Sequence, residues 1–216
     1  MKLFIANQNY STWSLRAWYL TQRFNLNVNI HKLPLGSTEF YTTLKPFAAN
    51  NKVPLLVDDD QPIWGSLAIM EYLNDAYLDN QAWPADRLER AKARAISGEM
   101  QSEFTALRSE MPMNCRAKRH LVLSDAAQRD IARIDAFWSQ QMTQYPQQWL
   151  FGEWSIADAM FAPVALRFMT YGIELSPAAA HYQQRLISDK TIQRWLQEAS
   201  QETEIVAEDE AGIDIT

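Results

Sequence analysis

A single cysteine, Cys115, stands among 216 residues, so the chain forms no internal disulfide and the reducing cytoplasm is its expected compartment. No uninterrupted apolar run approaches the roughly 20 residues a membrane helix needs, and no membrane partner is expected. The start, Met1-Lys2-Leu3-Phe4-Ile5, is too short for a secretory signal before Asn7, Gln8 and Asn9 intervene. His31, His120 and His181 are scattered, and neither C-x-x-C nor H-x-x-x-H occurs, so no metal is expected. The six glycines make no phosphate loop. The lack of a cysteine near residues 10–12 argues against thiol–disulfide exchange through an enzyme cysteine.

The chain also lacks a charge bias once its end is set aside. Its formal charge is −6, and six acids with no lysine or arginine lie between Glu202 and Thr216. Removing those six from 26 acids leaves 20, matched by 20 lysines and arginines. Nothing in that balance calls for nucleic acid as a partner. The aromatic-free stretch 202–216 is expected to be a mobile acidic tail.

What is present is a hydrophobic fraction of 47% and an ordered series of element signals. Residues 2 to 6 read as a strand, and Thr12 to about Phe24 as a helix whose stripe is Leu15, Trp18, Tyr19 and Gln22. Val28–Leu33 reads as a second strand, and Thr38–Lys45 as a helix or loop. Lys52-Val53-Pro54-Leu55-Leu56-Val57 opens a strand with proline, one of the few strand positions proline can hold. Asp58, Asp59 and Asp60 form a turn, Gln61–Trp64 returns, and Gly65-Ser66 enters a helix with Ser66 as its N-cap. The order is β-α-β-α-β-β-α. Its first segment calls for a right-handed parallel crossover and its last two strands for an antiparallel hairpin.

A linker is expected over 79–86, where Trp83-Pro84 interrupts the pattern. Beyond it lies an all-helical part over 87–201. One long helix is expected from Arg87 to about Glu110, with Ala91, Ala95, Met100, Phe104 and Leu107 as its stripe. Others are expected over Asp125–Met142, Ser155–Tyr171, 177–187 and 190–200. Ser155-Ile156-Ala157-Asp158 has the spacing of a capping box, with aspartate as the returning acid and Trp154 before it.

Taken in order, Val53-Pro54, the helix entry at Ser66 and the late Ser155-Ile156-Ala157-Asp158 resemble the cytosolic glutathione transferase family over residues 1 to about 200. Asn9-Tyr10-Ser11-Thr12-Trp13-Ser14-Leu15-Arg16 resembles the serine-type first loop of bacterial and zeta-like members, the group that includes maleylacetoacetate isomerase. Aligned on Trp13, Asn9 and Tyr10 replace two serines of the zeta pattern, and Ser11 stands at its cysteine. The resemblance implies an α/β thioredoxin-like N-terminal domain (1–78), an all-α C-terminal domain and a homodimer. It also implies an enzyme of detoxification, in which glutathione is the co-substrate and a small electrophile is conjugated or isomerised.

Chemistry distributes roles within that frame. A free thiol has a pKa of about 8.5, so a hydroxyl donating to the glutathione sulfur favours its thiolate. Ser11, at the entry to the first helix, either donates to the sulfur or caps the helix; Tyr10, Thr12 and Ser14 are alternative hydroxyls. The resemblance implies that the Val53 backbone pairs with the cysteinyl unit, that Pro54 is cis, and that Ser66 with the following N–H groups holds the γ-glutamyl carboxylate. Gly65 replaces the acid or glutamine common in relatives. Lys52 pairs with the glycyl carboxylate or is merely solvated. Trp13, Phe104, Arg108, Met111 and Asn114 are the expected walls of a second-substrate pocket, and Arg108 and Arg116 are candidates to attract an anion. Cys115 reads as an incidental thiol. The competing expectation is a non-catalytic protein-binding module on the same fold, like the stringent starvation proteins that contact RNA polymerase.

Overall fold

The computed structural model describes residues 1–47 and 50–215. The first half follows the expected order: β1 (Lys2–Ile5), α1 (Thr12–Arg23), β2 (Asn29–Lys32), α2 (Thr38–Leu44), β3 (Leu55–Asp58), β4 (Gln61–Trp64) and α3 (Ser66–Tyr77). The four strands make one sheet in the order β2-β1-β3-β4, with β1 parallel to β2 and antiparallel to β3. Alternation along the strands divides the core. Leu3, Ile5 and Leu56 face α1, α3 and the helical half, whereas Phe4, Leu55 and Val57 pack against Phe40 and Leu44 of α2.

The hairpin turns where the aspartates predict it, with Asp59 and Asp60 at φ of 44° and 62°. Gly65, not Ser66, occupies the N-cap of α3. Its φ of 86° and ψ of 124° suit a residue without Cβ, and Ser66 becomes the first helical residue.

The second half holds α4 (Arg87–Ser102), α5 (Thr105–Glu110), β5 (Arg119–His120), α6 (Asp125–Gln144), α7 (Ile156–Thr170), α8 (Pro177–Ser188) and α9 (Lys190–Ser200). The expected long helix over 87–110 is broken. Phe104 adopts a left-handed φ of 54° that no α-helix accommodates, and its ring is buried. The buried face of α4 is Ala93, Ile96, Ser97 and Met100, and the expected Ala91 and Ala95 are exposed. The stretch 79–86 is docked: Ala82 and Trp83 are buried, and the Ala82 carbonyl accepts the N–H of Ile156 at 2.9 Å.

The acidic end is held as well, against the expectation of a mobile tail. Glu202 is buried and accepts the N–H groups of Gln8 and Asn9 at 2.8 and 2.9 Å. Arg116 donates to the carbonyls of Glu202 and Glu204, and Glu210 pairs with Arg119. A short strand β6 (Ile213–Asp214) then joins β5 antiparallel, so the second half is not wholly helical. Composition suggested repulsion and solvation; placement beside Arg116, Arg119 and unpaired loop N–H groups reverses that balance.

The capping box at Ser155 and Asp158 is present. Asp158 does more than cap, accepting the N–H of Ser155 at 2.8 Å, that of Leu150 at 3.2 Å and the Tyr182 hydroxyl at 2.8 Å. Burial pushes its carboxyl up to about 6 from 3.8. The folded state therefore binds that proton more tightly, and its stabilising share is full below about pH 4 and lost as pH rises through about 6. In urea titrations across this window, Asp158→Asn is expected to remove that slope relative to wild type. Asp158→Ala, which strands the N–H groups of Leu150 and Ser155 and the hydroxyls of Ser155 and Tyr182, is expected to lower unfolding free energy by at least about 2 kcal/mol.

Candidate functional site

The register of the sheet assembles the site. Phe4 lies beside Leu55, and Leu55 lies beside Trp64. The exit of β1, the entry of β3 and the exit of β4 thus share one end of the sheet. The segments that continue there are the loop to Ser11, Val53-Pro54 and Gly65-Ser66. The N-termini of α1 and α3 point their free N–H groups toward that end.

Ser11 is half-buried at the N-cap of α1, but its side chain makes no capping bond. Its hydroxyl donates to Ser14 Oγ at 2.7 Å, and Ser14 Oγ also accepts the N–H of Ala6 at 3.1 Å. Tyr10 is differently placed. Its hydroxyl donates to Glu210 Oε1 at 2.5 Å and accepts from Arg116 Nη2 at 3.1 Å. Burial, followed by the Glu210 bond, raises its pKa. The C-terminal segment therefore occupies the tyrosine and leaves the serine.

The Val53-Pro54 bond is cis, as the resemblance implied. Among the described residues, neither the N–H nor the carbonyl of Val53 has a partner. Ser66 is 3% exposed, and its Oγ is buried without a partner. Lys52 is exposed on the loop before Val53.

The expected wall of the second pocket divides. Trp13 and Arg108 line a cavity of about 280 Å³ together with Thr12, Arg16, Thr105 and Arg167. Phe104, Met111 and Asn114 do not line it and are core residues at 5%, 0% and 2% exposure. Asn114 is spent on the Asn9 side-chain amide and on Glu210, each at 2.9 Å. Arg116 is spent on the tail. Sequence reasoning missed Arg16 and Arg167, although Arg167 is, with Asp158, one of only two charged residues in α7. Two larger cavities, of about 600 and 1090 Å³, include Arg23 at the far end of α1, about 18 Å along the helix from Ser11.

Comparisons with known proteins agree with this architecture. Residues 10–76 match the family model described as the glutathione S-transferase N-terminal domain. A probable maleylacetoacetate isomerase of Caenorhabditis elegans is 41% identical over 73 residues, 34% of either chain. A stringent starvation protein A homolog of Pasteurella multocida is 25% identical over 147 residues, 68% of this chain and 65% of that protein. The chain thus matches about a third of the length of the first relative and just under two thirds of the second.

Among solved structures, a Burkholderia glutathione transferase homolog with bound glutathione superimposes with a TM-score of 0.71 at 23% identity, covering 92% of this chain and 97% of that one. Glutathione S-transferase 1-6 of Anopheles dirus gives 0.73 at 16%, covering 93% and 95%. At these identities the likeness establishes the fold: a thioredoxin-like N-terminal domain with a mixed sheet, followed by a helical part, as in glutathione transferases.

Two expectations follow from the geometry. The Cys115 sulfur donates to the Gln8 carbonyl at 3.7 Å, and burial pushes its thiol up to about 12. Iodoacetamide at pH 8 is expected to modify native Cys115 at least about 100-fold more slowly than the urea-unfolded chain. Glu202→Ala strands two loop N–H groups and is expected to destabilise the fold by about 2 kcal/mol or more. Faster amide exchange at Gln8 and Asn9 is the accompanying signature; unchanged exchange there would deny Glu202 its hold on the loop.

Proposed function

We propose that this chain is a glutathione transferase of the cytosolic type, activating the glutathione thiol as thiolate and delivering it to a small electrophile. The observation that carries this reading is the joint availability, among the described residues, of Ser11, the unpaired Val53 backbone and the orphaned Ser66 hydroxyl at one end of the sheet. Residues 1–78 would bind glutathione, and 87–201, past the 79–86 connection, would complete the second-substrate site. A tripeptide laid beside Val53 satisfies the two open backbone groups as an added strand does. Its γ-glutamyl carboxylate supplies the partner that Ser66 lacks, reinforced by the N–H groups at the start of α3. Lys52 is within the same loop for the glycyl carboxylate.

Ser11 is the proposed hydroxyl donor. Turning its O–H from Ser14 to the sulfur leaves Ser14 still bonded to Ala6, and the start of α1 adds its dipole. Both conjugation and isomerisation begin with this thiolate, and the likeness to the C. elegans isomerase supports the second use only for the N-terminal part. No helix among the described residues is long and apolar enough to cross a membrane. A cytoplasmic homodimer is part of the proposal. Exposed Trp64 and Tyr77, at 55% and 45%, support an interface near the β4 edge.

A protein-binding role is the second reading, favoured by the length of the match to the P. multocida homolog. Retention on immobilised glutathione with turnover of a generic aromatic electrophile is the outcome expected of a transferase, and no binding at millimolar glutathione would leave only the second reading. In glutathione-saturated protein, Ser11→Ala is expected to raise the thiol pKa, read by thiolate absorbance, by about one unit or more. Tyr10→Phe is expected to leave it nearly unchanged; the reverse pattern would move the role to Tyr10.

A further inference from the structure

The cavity beside Trp13 gathers three guanidinium groups, none of them ion-paired among the described residues. Arg16 and Arg167 are 2% and 7% exposed, deep in the fold. Arg16 Cζ lies 4.1 Å from the centre of a Trp13 ring, and Arg108 Cζ lies 5.3 Å from one. Each arginine is anchored by main-chain carbonyls. Arg16 Nε donates to Met160, Arg108 Nη1 to Gln101 and Glu103, and Arg167 Nη1 to Arg108 and Met111.

These anchors fix the side chains and leave most of their N–H groups unused. Arg16 Nη1 is buried with no partner. Among the described residues, no ion pair within 4.0 Å involves any of the three. Asp209 attracts Arg167 only from beyond that distance. Burial, then Arg167 and Arg108, push Arg16 well below the usual guanidinium range, and burial and Arg108 bring Arg167 down to about 10. Anchoring α1 and α5 to α7 requires hydrogen bonds; it does not require three like charges at one cavity.

We infer that this cavity is an anion-binding subsite, in which Arg16, Arg108 and Arg167 receive the carboxylate, or a similar fully ionised group, of the second substrate. The inference rests on the transferase reading for the reaction, though not for the binding. Thr12 and Trp13 directly follow Ser11, so a group seated here lies within one helical turn of the proposed thiolate. A volume of about 280 Å³ suits a small ligand, with the Trp13 face as a platform for its carbon skeleton. Glutathione's own carboxylates are met elsewhere, at Lys52 and Ser66, which leaves these arginines to the electrophile.

A matched pair tests this. 4-(Chloromethyl)benzoate and its methyl ester share one reacting carbon, where the thiolate sulfur forms the C–S bond while chloride leaves with the C–Cl electron pair. With the uncatalysed rates subtracted, kcat/KM is expected to favour the carboxylate by about tenfold or more, the worth of one charge-assisted hydrogen bond. Arg108→Met and Arg167→Met are each expected to bring that ratio toward one, and Arg167→Lys to recover part of it. Equal rates with wild type, or an unchanged ratio in both methionine variants, overturn the inference. Circular dichroism melts show which variants fold; if Arg167→Met does not, the half-buried Arg108→Met decides.

Calorimetry with p-toluate in the absence of glutathione separates the two readings. Saturable binding to wild type, lost in Arg108→Met and absent for methyl p-toluate, is expected. If p-toluate binds while glutathione does not, the subsite stands and the transferase reading falls. Glutathione binding without p-toluate binding overturns the subsite alone.

Discussion

The structure depends on the burial of α1. From Ser14 to Thr21 every residue of this helix is buried, so it has no solvent face over two turns. Its neighbours are α3 beneath and α7 and α9 from the helical half. Trp18 meets Trp195 edge to face with centroids 5.0 Å apart, and Arg16 Nε reaches the Met160 carbonyl. The apolar residues of both halves therefore form one continuous core through α1. A helix so constrained cannot tilt or slide without disrupting both halves, so the residues at its N-terminus have a fixed orientation. Ser11 faces the sheet end, while Trp13 and Arg16 face α5 and α7. One element thereby fixes the position of the proposed hydroxyl donor relative to the proposed recognition site.

The C-terminal segment supplies the second constraint. The loop from Asn7 to Ser11 turns sharply and leaves N–H groups that the sheet cannot satisfy. Glu202 takes two of them, and Lys32 balances its charge at 2.9 Å. Glu210 takes the Tyr10 hydroxyl and the Asn114 amide. A carboxylate accepting backbone N–H groups forms charge-assisted bonds, stronger than neutral ones, and here it adds to the bonds that Asn7 and Asn9 make with Leu35, Asn114, Cys115 and Arg116. The segment also selects among the hydroxyls of that loop. With Tyr10 bonded to Glu210, Ser11 is the adjacent hydroxyl whose only partner is another serine.

The features legible in the sequence are those written in local signals. Alternation, turn aspartates, an opening proline and a capping box gave the βαβαββα order and the start of α7 to within a residue or two. The nearness of Val53 and Ser66 follows from their order along the chain, because sheet register converts that order into proximity. The failures are non-local. Phe104 in a left-handed conformation has no marker in a window that otherwise reads as helix, since packing of its ring decides it. The acidic end looked mobile because composition cannot show that Arg116 and Arg119, some 90 positions earlier, lie underneath. Arg16 and Arg167 sit in different helices, and only the packing of α1 on α7 brings them to one cavity.

That convergence bears on the electrostatics of the proposed reaction. An anionic electrophile approaching a thiolate brings two like charges together. At a separation of about 6 Å and an effective dielectric of about 20, the repulsion is about 3 kcal/mol, roughly a hundredfold in rate. A neutral apolar pocket would leave that repulsion in place and exclude such substrates. Guanidinium groups held by carbonyls have no carboxylate beside them to cancel their charge. Facing an electrophile's anion, they would offset the repulsion while also favouring the thiolate over the thiol. In the proposed transferase, arginines buried without ion-paired acids are a means of selecting charge, and the selectivity would follow from what α1 places on either side of Trp13.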